Sequence, residues 1–278
     1  MPANKPKKVL TSSLAGRWYA SDPKLLQAEL NRYYQKAKSK TKENIIALIL
    51  PHAGYQYSGA TAMEGLKALG KKKFQRVVIL GPSHSLPMWD TLSVPDATHY
   101  KTPLGETTLD LQFMERLKEY SLFHSIPMAH QYEHSVQIEV PLIQYLNPDF
   151  ELVPIIAGSL RLETVLRAGA ILRSLIDENT LVIASSDFTH YGPRFQYEPY
   201  KNQNDIPGKV KALDMGAYEF IDKRDARGFL TYREKTGCTI CGFMPVAILL
   251  SMLPENSQAH LDLYYTSGDL TGDWNTYV

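Results

Sequence analysis

Three short apolar runs, each followed directly by a turn that carries a histidine, constrain this chain more than any other feature of its sequence. The runs occupy residues 45–50, 77–80 and 181–184, and their residues are uniformly apolar rather than alternating. Such runs are typical of strands that are buried on both faces of a largely parallel sheet. The sequence therefore predicts a sheet whose strands end at a common group of histidine-bearing turns.

Further segments fill in an α/β pattern around these runs. Residues 152–156 and 261–265 are two more predicted strands, and helical spacing is found at residues 22–37, 109–120, 162–175, 210–220 and 242–253. Strands that alternate with helices predict one α/β domain over residues 1–278, with a central largely parallel or mixed sheet flanked by helices. We expect residues 1–14 to be a flexible basic N-terminus and residues 191–208, which are rich in proline, to be a loop near the site.

Composition and charge exclude several classes of protein. Two cysteines in 278 residues exclude a disulfide scaffold, and no apolar run approaches the roughly 20 residues that span a bilayer. Residues 1–43 hold ten Lys or Arg against three acids, but the basic run at 36–42 has no aromatic side chain and no phosphate-binding glycine pattern. We expect a cytoplasmic protein with neither a nucleic-acid nor a membrane partner.

The positions of the histidines predict a site at one edge of the sheet. His52, His84 and the Asp187/His190 pair each lie two to six residues beyond a predicted strand. Ligands of open α/β sheets bind outside the carboxyl ends of the strands, so these side chains are expected to converge there. Proline and glycine neighbours stiffen the turns that carry His52 and His84.

A metal ion is the ligand that this set of side chains favours. Two neutral imidazoles and one anionic ligand suit iron, copper or zinc. The third ligand is left open among Asp187, Glu133 and a cysteine. Cys241 opens the predicted helix 242–253, where the helix dipole favours a thiolate. Its partner in the CxxC pattern, Cys238, is interpreted as incidental, because one chain with a single CxxC cannot build a four-cysteine zinc site.

Five further histidines lie outside these three turns. His134, in the segment 133–139 with Glu133 and Glu139, lines either a pocket or a solvent-facing helix start. The remaining four have no comparable setting, and we expect them to be structural or surface residues: His99, His124, His130 and His260.

The motifs together resemble the Memo family, and they follow one another in that family's order across nearly the whole chain. They are Pro-His-Ala-Gly-Tyr at 51–55, Gly-Pro-Ser-His at 81–84, Glu-His-Ser at 133–135, Ser-Ser-Asp-Phe-Thr-His-Tyr-Gly at 185–192 and Cys-Gly at 241–242, with Ala-Gly-Arg-Trp-Tyr at 15–19 and Ser-Gly-Asp at 267–269. Some prokaryotic members of this family carry the label AmmeMemoRadiSam system protein B. The resemblance therefore implies a radical-SAM partner if the source is prokaryotic.

The resemblance also implies a fold and residue roles. The family is similar in fold to the LigB-type class III extradiol dioxygenases, which use non-haem iron. By that resemblance His52, His84 and Cys241 match the metal-ligand positions, while Asp187, His190 and His134 line the pocket, with His190 as the acid/base residue. Cysteine replaces the carboxylate of the dioxygenases, and its softer thiolate suits copper and zinc as well as iron.

Three functions follow in order of preference. The first is a metal-dependent redox or oxygenase-like enzyme that uses iron or copper, with Asp187 orienting or balancing the charge of His190. The second, taken from the association of eukaryotic members with motility signalling and phosphotyrosine peptides, is a non-catalytic protein that binds a phosphopeptide or another anionic ligand. The third is a zinc hydrolase. In each case the partner is an unknown small molecule or peptide.

Overall fold

A six-stranded sheet carries the histidine-bearing turns. The computed structural model describes residues 6–278, and its strands are β1 (Val9–Thr11), β2 (Ala47–Leu50), β3 (Arg76–Pro82), β4 (Leu92–Val94), β5 (His99–Thr102), β6 (Gly105–Thr108), β7 (Phe123–Ser125), β8 (Glu151–Ala157) and β9 (Thr180–Ser185). The large sheet has the order β2-β9-β3-β8-β4-β7, and β1-β5-β6 form a small one. Strands β2, β9, β3 and β8 are parallel, whereas β4 runs antiparallel to β8, so the sheet is mixed.

Helices cover the sheet. They are α1 (Pro23–Lys36), α2 (Tyr55–Ala68), α3 (Leu111–Lys118), α4 (Pro127–Gln131), α5 (His134–Gln137), α6 (Glu139–Leu146), α7 (Leu162–Leu175), α8 (Ile206–Asp222), α9 (Ala226–Thr236), α10 (Phe243–Met252) and α11 (Ser267–Thr271), with a 3-10 turn at Pro193–Phe195. Helix α10 is apolar on all sides because it packs between α7, α9 and the sheet. None of the helices between residues 6 and 278 is both long and apolar enough to cross a membrane.

The register of the central strands brings the predicted turns together. Leu50 of β2 pairs with Ser185 of β9, and Leu80 of β3 pairs with Ala184 of β9. Because the three strands are adjacent and parallel, the chain leaves all of them at the same edge of the sheet. The predicted α/β domain and the convergence of its three strand ends are confirmed.

Two expectations about the ends of the chain are corrected. Residues 9–11 are not flexible, since β1 pairs in parallel with β5; residues 1–5, including Lys5 of the basic segment, lie outside the described residues. The segment 261–265 is not a strand. Its side chains hold it in place, with Lys42 bonded to Asp262 and the Tyr264 hydroxyl donating to Asp214, while its backbone pairs with no strand of the described chain.

The segment 191–208 is largely irregular, and α8 begins at Ile206 within it. A hydrogen-bonded bridge joins Tyr191 to Tyr277 near the end of the chain. The edge of Phe195 contacts the ring of His190, with centroids 4.8 Å apart. This contact places the loop beside the histidines.

Candidate metal centre

His52 is the most buried histidine of the group and is fixed from three sides. Its backbone N–H donates to Asp187 Oδ1 at 2.8 Å, its Nδ1 lies 2.9 Å from Ser185 Oγ, and its Nε2 lies 2.9 Å from Cys241 Sγ. Burial, reinforced by the neighbouring histidines, holds the pKa of His52 well below its ordinary value. The imidazole is therefore neutral at physiological pH, as a metal ligand must be.

His84 is oriented by a carboxylate that is buried beneath it. Glu133 accepts from the His84 backbone N–H at 2.6 Å, and its Oε1 lies 2.8 Å from His84 Nδ1. Burial alone would raise the pKa of Glu133, but the hydrogen bonds and charge of His84 lower it to about 2. The carboxylate therefore holds the proton on Nδ1 and leaves Nε2 of His84 free to bind a metal.

Cys241 reaches the histidines because a glycine follows it. A Cβ atom on Gly242 would lie 2.4 Å from the carbonyl oxygen of Ser185, so only glycine lets the start of α10 approach β9 this closely. The backbone N–H of Asp187 donates to Cys241 Sγ at 3.2 Å. The expected thiolate is corrected for the metal-free protein, because burial and the charge of Asp187 raise the pKa of the Cys241 thiol well above its ordinary value.

The three side chains that the resemblance matches to metal ligands come together. One nitrogen of His52, one nitrogen of His84 and the sulfur of Cys241 all lie within 4.8 Å of one another. Two neutral imidazole nitrogens and a sulfur that deprotonates on binding form a donor set that suits copper, zinc or iron. The residues present therefore fit a transition-metal ion.

Two neighbouring groups share atoms with this triad. Asp187, His190 and Cys241 form one, and His84, Glu133 and His134 form the other. In the second group Glu133 is already engaged by three backbone N–H donors and by His84 Nδ1, which identifies it as an orienting carboxylate rather than a ligand.

The ring of His134, the first residue of α5, packs against the two candidate histidine ligands rather than facing only solvent. Its ring stacks on His84 with centroids 4.4 Å apart and meets His52 edge-on at 5.2 Å. Trp18 covers it at 4.8 Å. Burial and the charge of His84 lower the pKa of His134, so it too is neutral at physiological pH.

His190 is positioned by backbone carbonyls rather than by Asp187. Its Nδ1 lies 3.0 Å from the carbonyl oxygen of Phe188 and 3.1 Å from that of Thr239. Because carbonyls only accept, Nδ1 carries a proton, and Nε2 is the ring nitrogen that these contacts leave for other partners. The expectation that Asp187 orients His190 is corrected, since the carboxylate of Asp187 instead accepts from the backbone of His52. The alternative, that Asp187 balances the charge of His190, stays a prediction; the two side chains lie in one group whose ligand atoms are within 4.8 Å of one another.

The other histidines and Cys238 lie apart from the metal triad. His130 is buried, with Nε2 3.0 Å from Ser93 Oγ, and burial lowers its pKa to about 3, which confirms a structural role. His124 and His260 are exposed, and His99 bonds to the neighbouring Thr98. Cys238 is fully buried and belongs to the hydrophobic core.

Sequence analysis missed two supporting residues. The sequence predicts Glu133 as a candidate ligand or pocket residue but not as the partner of His84, and it gives Ser185 no role beyond its place in the motif at 185–192. The signal for Glu133 was its position directly before His134; nothing in the local sequence distinguishes Ser185 from its neighbour Ser186. A cavity of about 1080 Å³ lies between β2 and residues 254–278; its wall includes Asp187 and Phe188 but none of His52, His84 and Cys241.

Comparison with known proteins decides the family. The sequence model of the family described as Memo-like protein matches residues 11–278. This chain belongs to the Memo-like family. It is 31% identical over 278 residues to a MEMO1 family protein of Thermococcus onnurineus, covering 96% of this chain and 95% of that protein. It is 29% identical over 262 residues to human Protein MEMO1, covering 92% of this chain and 88% of the human protein.

Among solved structures, an uncharacterized protein of Escherichia coli K12 is similar with a TM-score of 0.45 at 13% identity. The similarity covers 69% of this chain and 80% of that chain.

Proposed function

We propose that this Memo-like protein is a metal-dependent redox or oxygenase-like enzyme that acts on a small molecule. The observation that carries the proposal is the convergence of His52, His84 and Cys241, whose ligand atoms lie within 4.8 Å of one another. Three protein ligands leave positions open for a substrate, which is typical of a catalytic rather than a structural site. Iron and copper are favoured, and they would supply one-electron or O₂ chemistry.

The chain's own residues prepare the site. Glu133 and Ser185 orient the two imidazoles, so the ligand atoms need no rearrangement before binding. Both carbonyl contacts of His190 are made by Nδ1, so Nε2 is the ring nitrogen suited to accept and return a proton. Asp187, which lies in one group with His190 and Cys241, also lines a cavity of about 1080 Å³ that is large enough for a small-molecule substrate.

The anion-binding alternative has less support. A charged imidazole attracts a phosphate more strongly than a neutral one, but burial lowers the pKa of both His52 and His134, so neither favours an anion by its charge. A zinc hydrolase would use the same three ligands and the same base. The identity of the bound metal therefore distinguishes it from the redox proposal.

The decisive experiment is metal analysis by mass spectrometry on protein purified anaerobically. Wild type is compared with Cys241→Ser, and Cys238→Ser is the matched control because it makes the same change outside the metal triad. We expect near-stoichiometric iron or copper in wild type and in Cys238→Ser, and a large loss in Cys241→Ser. Equal metal in both variants would refute Cys241 as a ligand, and zinc alone would favour hydrolysis.

A His84→Ala variant tests the second ligand, with circular dichroism as the check that the fold persists. We expect stoichiometric metal binding to be lost. If reconstitution with iron, copper and zinc in turn gives no binding to wild type, the metal proposal fails and the pocket is better explained as a binding site for an organic ligand.

A further inference from the structure

A second buried acid, Glu139, lies on the Nδ1 side of His52. It is the first residue of α6 and is fully buried. Its Oε1 lies 3.0 Å from Ser185 Oγ, and its Oε2 is buried without a hydrogen-bond partner in the described structure. An ionised carboxylate with so few donors around it would be strongly unfavourable.

Counting hydrogens on Ser185 determines how this cluster is protonated. Three atoms surround its Oγ: the carbonyl oxygen of Ser135 at 2.6 Å, His52 Nδ1 at 2.9 Å and Glu139 Oε1 at 3.0 Å. A serine hydroxyl has one hydrogen to donate and two lone pairs that accept. The carbonyl of Ser135 can only accept, and it is the closest, so it takes the serine hydrogen.

The other two contacts must then be donors to Ser185. His52 donates from Nδ1–H, and Glu139 donates from a protonated carboxyl group. On the opposite edge of His52, Nε2 lies 2.9 Å from Cys241 Sγ. Every atom of the cluster except Glu139 Oε2 is then satisfied.

We propose that Glu139 is held as a neutral carboxylic acid and acts as a positioning residue for His52, fixing through Ser185 the tautomer that turns the Nε2 lone pair toward the metal site. The role in metal binding rests on the function proposed above; the protonation pattern does not. Burial, together with the charge of Asp187, raises the pKa of Glu139 well above its ordinary value, in agreement with the hydrogen count.

Two glutamates of one short segment would thus orient the two histidines, one glutamate as a charged carboxylate and the other as a neutral acid. Glu133 is ionised and accepts directly from His84, whereas Glu139 is neutral and acts on His52 through a hydroxyl. A carboxylate makes its histidine a stronger electron donor than a hydroxyl does. The two nitrogen ligands would therefore be chemically unequal.

Infrared spectroscopy of the metal-free protein at neutral pH tests the protonation state. We expect the carbonyl band of a protonated carboxylic acid in wild type, its loss in Glu139→Gln, and its persistence in the matched control Glu133→Gln. A wild-type spectrum whose protonated-acid band is unchanged in Glu139→Gln would overturn the proposal.

Long-range ¹H–¹⁵N correlation spectra of the histidines test the tautomer. In metal-free wild type and in Glu139→Gln, whose amide also donates to Ser185, His52 should be protonated at Nδ1. Ser185→Ala removes the acceptor, so the tautomers should mix and the affinity for Zn²⁺ should fall by about 10- to 100-fold. His52 protonated at Nε2 in wild type would refute the proposal.

These measurements separate the two proposals. The infrared and tautomer results are obtained without metal, so they stand even if the protein binds none. If Ser185→Ala does not fold, the wild-type spectra still decide whether Glu139 and His52 have the assigned protons.

Discussion

Replacing Glu133 by glutamine should destabilise the protein by about 3 kcal/mol at pH 7. The pKa of Glu133 falls from an ordinary 4.5 to about 2 in the folded protein, and at 1.36 kcal/mol per pH unit this corresponds to about 3 kcal/mol. The side chain is completely buried, so solvent does not screen its contacts with His84. Glutamine at this position keeps one acceptor oxygen, but its NH₂ group would face one of the N–H donors that the second carboxylate oxygen accepts from.

The sign of the pH dependence follows from the lowered pKa. Stabilisation by a carboxylate of lowered pKa is complete above its ordinary pKa and disappears as the pH falls toward the folded value. The difference between wild type and Glu133→Gln should therefore be constant from pH 7 to 5 and shrink to about 1 kcal/mol near pH 3.

Urea denaturation followed by circular dichroism measures this difference at each pH. Glu139→Gln is the matched control, since it makes the same substitution six residues away at an acid that we assign as neutral; it should change the free energy of unfolding far less. Equal losses in the two variants, or a loss below about 1 kcal/mol in Glu133→Gln, would show that the charge of Glu133 is not what stabilises this site.

Three further outcomes are expected. Burial raises the pKa of Asp214 to about 6, so wild type should lose stability as the pH rises from 4 to 6, whereas Asp214→Asn should not. Thermal unfolding of both proteins across this pH range checks the prediction, and parallel curves of unfolding midpoint against pH would contradict it. Alkylation of Cys241 by iodoacetamide should be slower than that of an unfolded cysteine peptide at pH 8, and a faster rate by mass spectrometry would refute the raised thiol pKa. Gly242→Ala forces a Cβ atom against the carbonyl oxygen of Ser185, so this variant should have a lower metal occupancy and a lower unfolding midpoint than wild type. Full metal occupancy in the variant would show that the close approach of α10 to β9 is not required.

The central strands and their turns could be predicted because each rests on a local pattern. Uniformly apolar runs favour strands buried on both faces, as β3 and β9 are, whereas the edge strand β2 is only half-buried over most of its length. The parallel arrangement of the three strands places their C-terminal ends together. The helix at Leu162–Leu175 was predicted to the residue for a similar reason, since its apolar positions repeat with helical spacing.

Predictions from local sequence pattern were wrong where tertiary contacts determine the structure or the protonation state. The residues 261–265 have strand-forming side chains, yet strand formation requires a partner backbone, and only the fold determines whether one is near. The dipole of α10 predicts a thiolate at Cys241. Burial and the charge of Asp187 raise the pKa of this thiol and outweigh the dipole, and both effects depend on the tertiary structure.

By itself, the sequence predicted the histidines of the candidate metal site and the edge of the sheet at which they meet, and it left the third ligand open among Asp187, Glu133 and a cysteine. Only the tertiary structure decided the protonation of the site. Glu133 and Glu139 are chemically identical and six residues apart. Glu133 accepts hydrogen bonds from His84, whereas Glu139 contacts Ser185, whose hydroxyl hydrogen is donated to the carbonyl oxygen of Ser135. The charge of a buried acid depends on the atoms that surround it, and those come from distant parts of the chain.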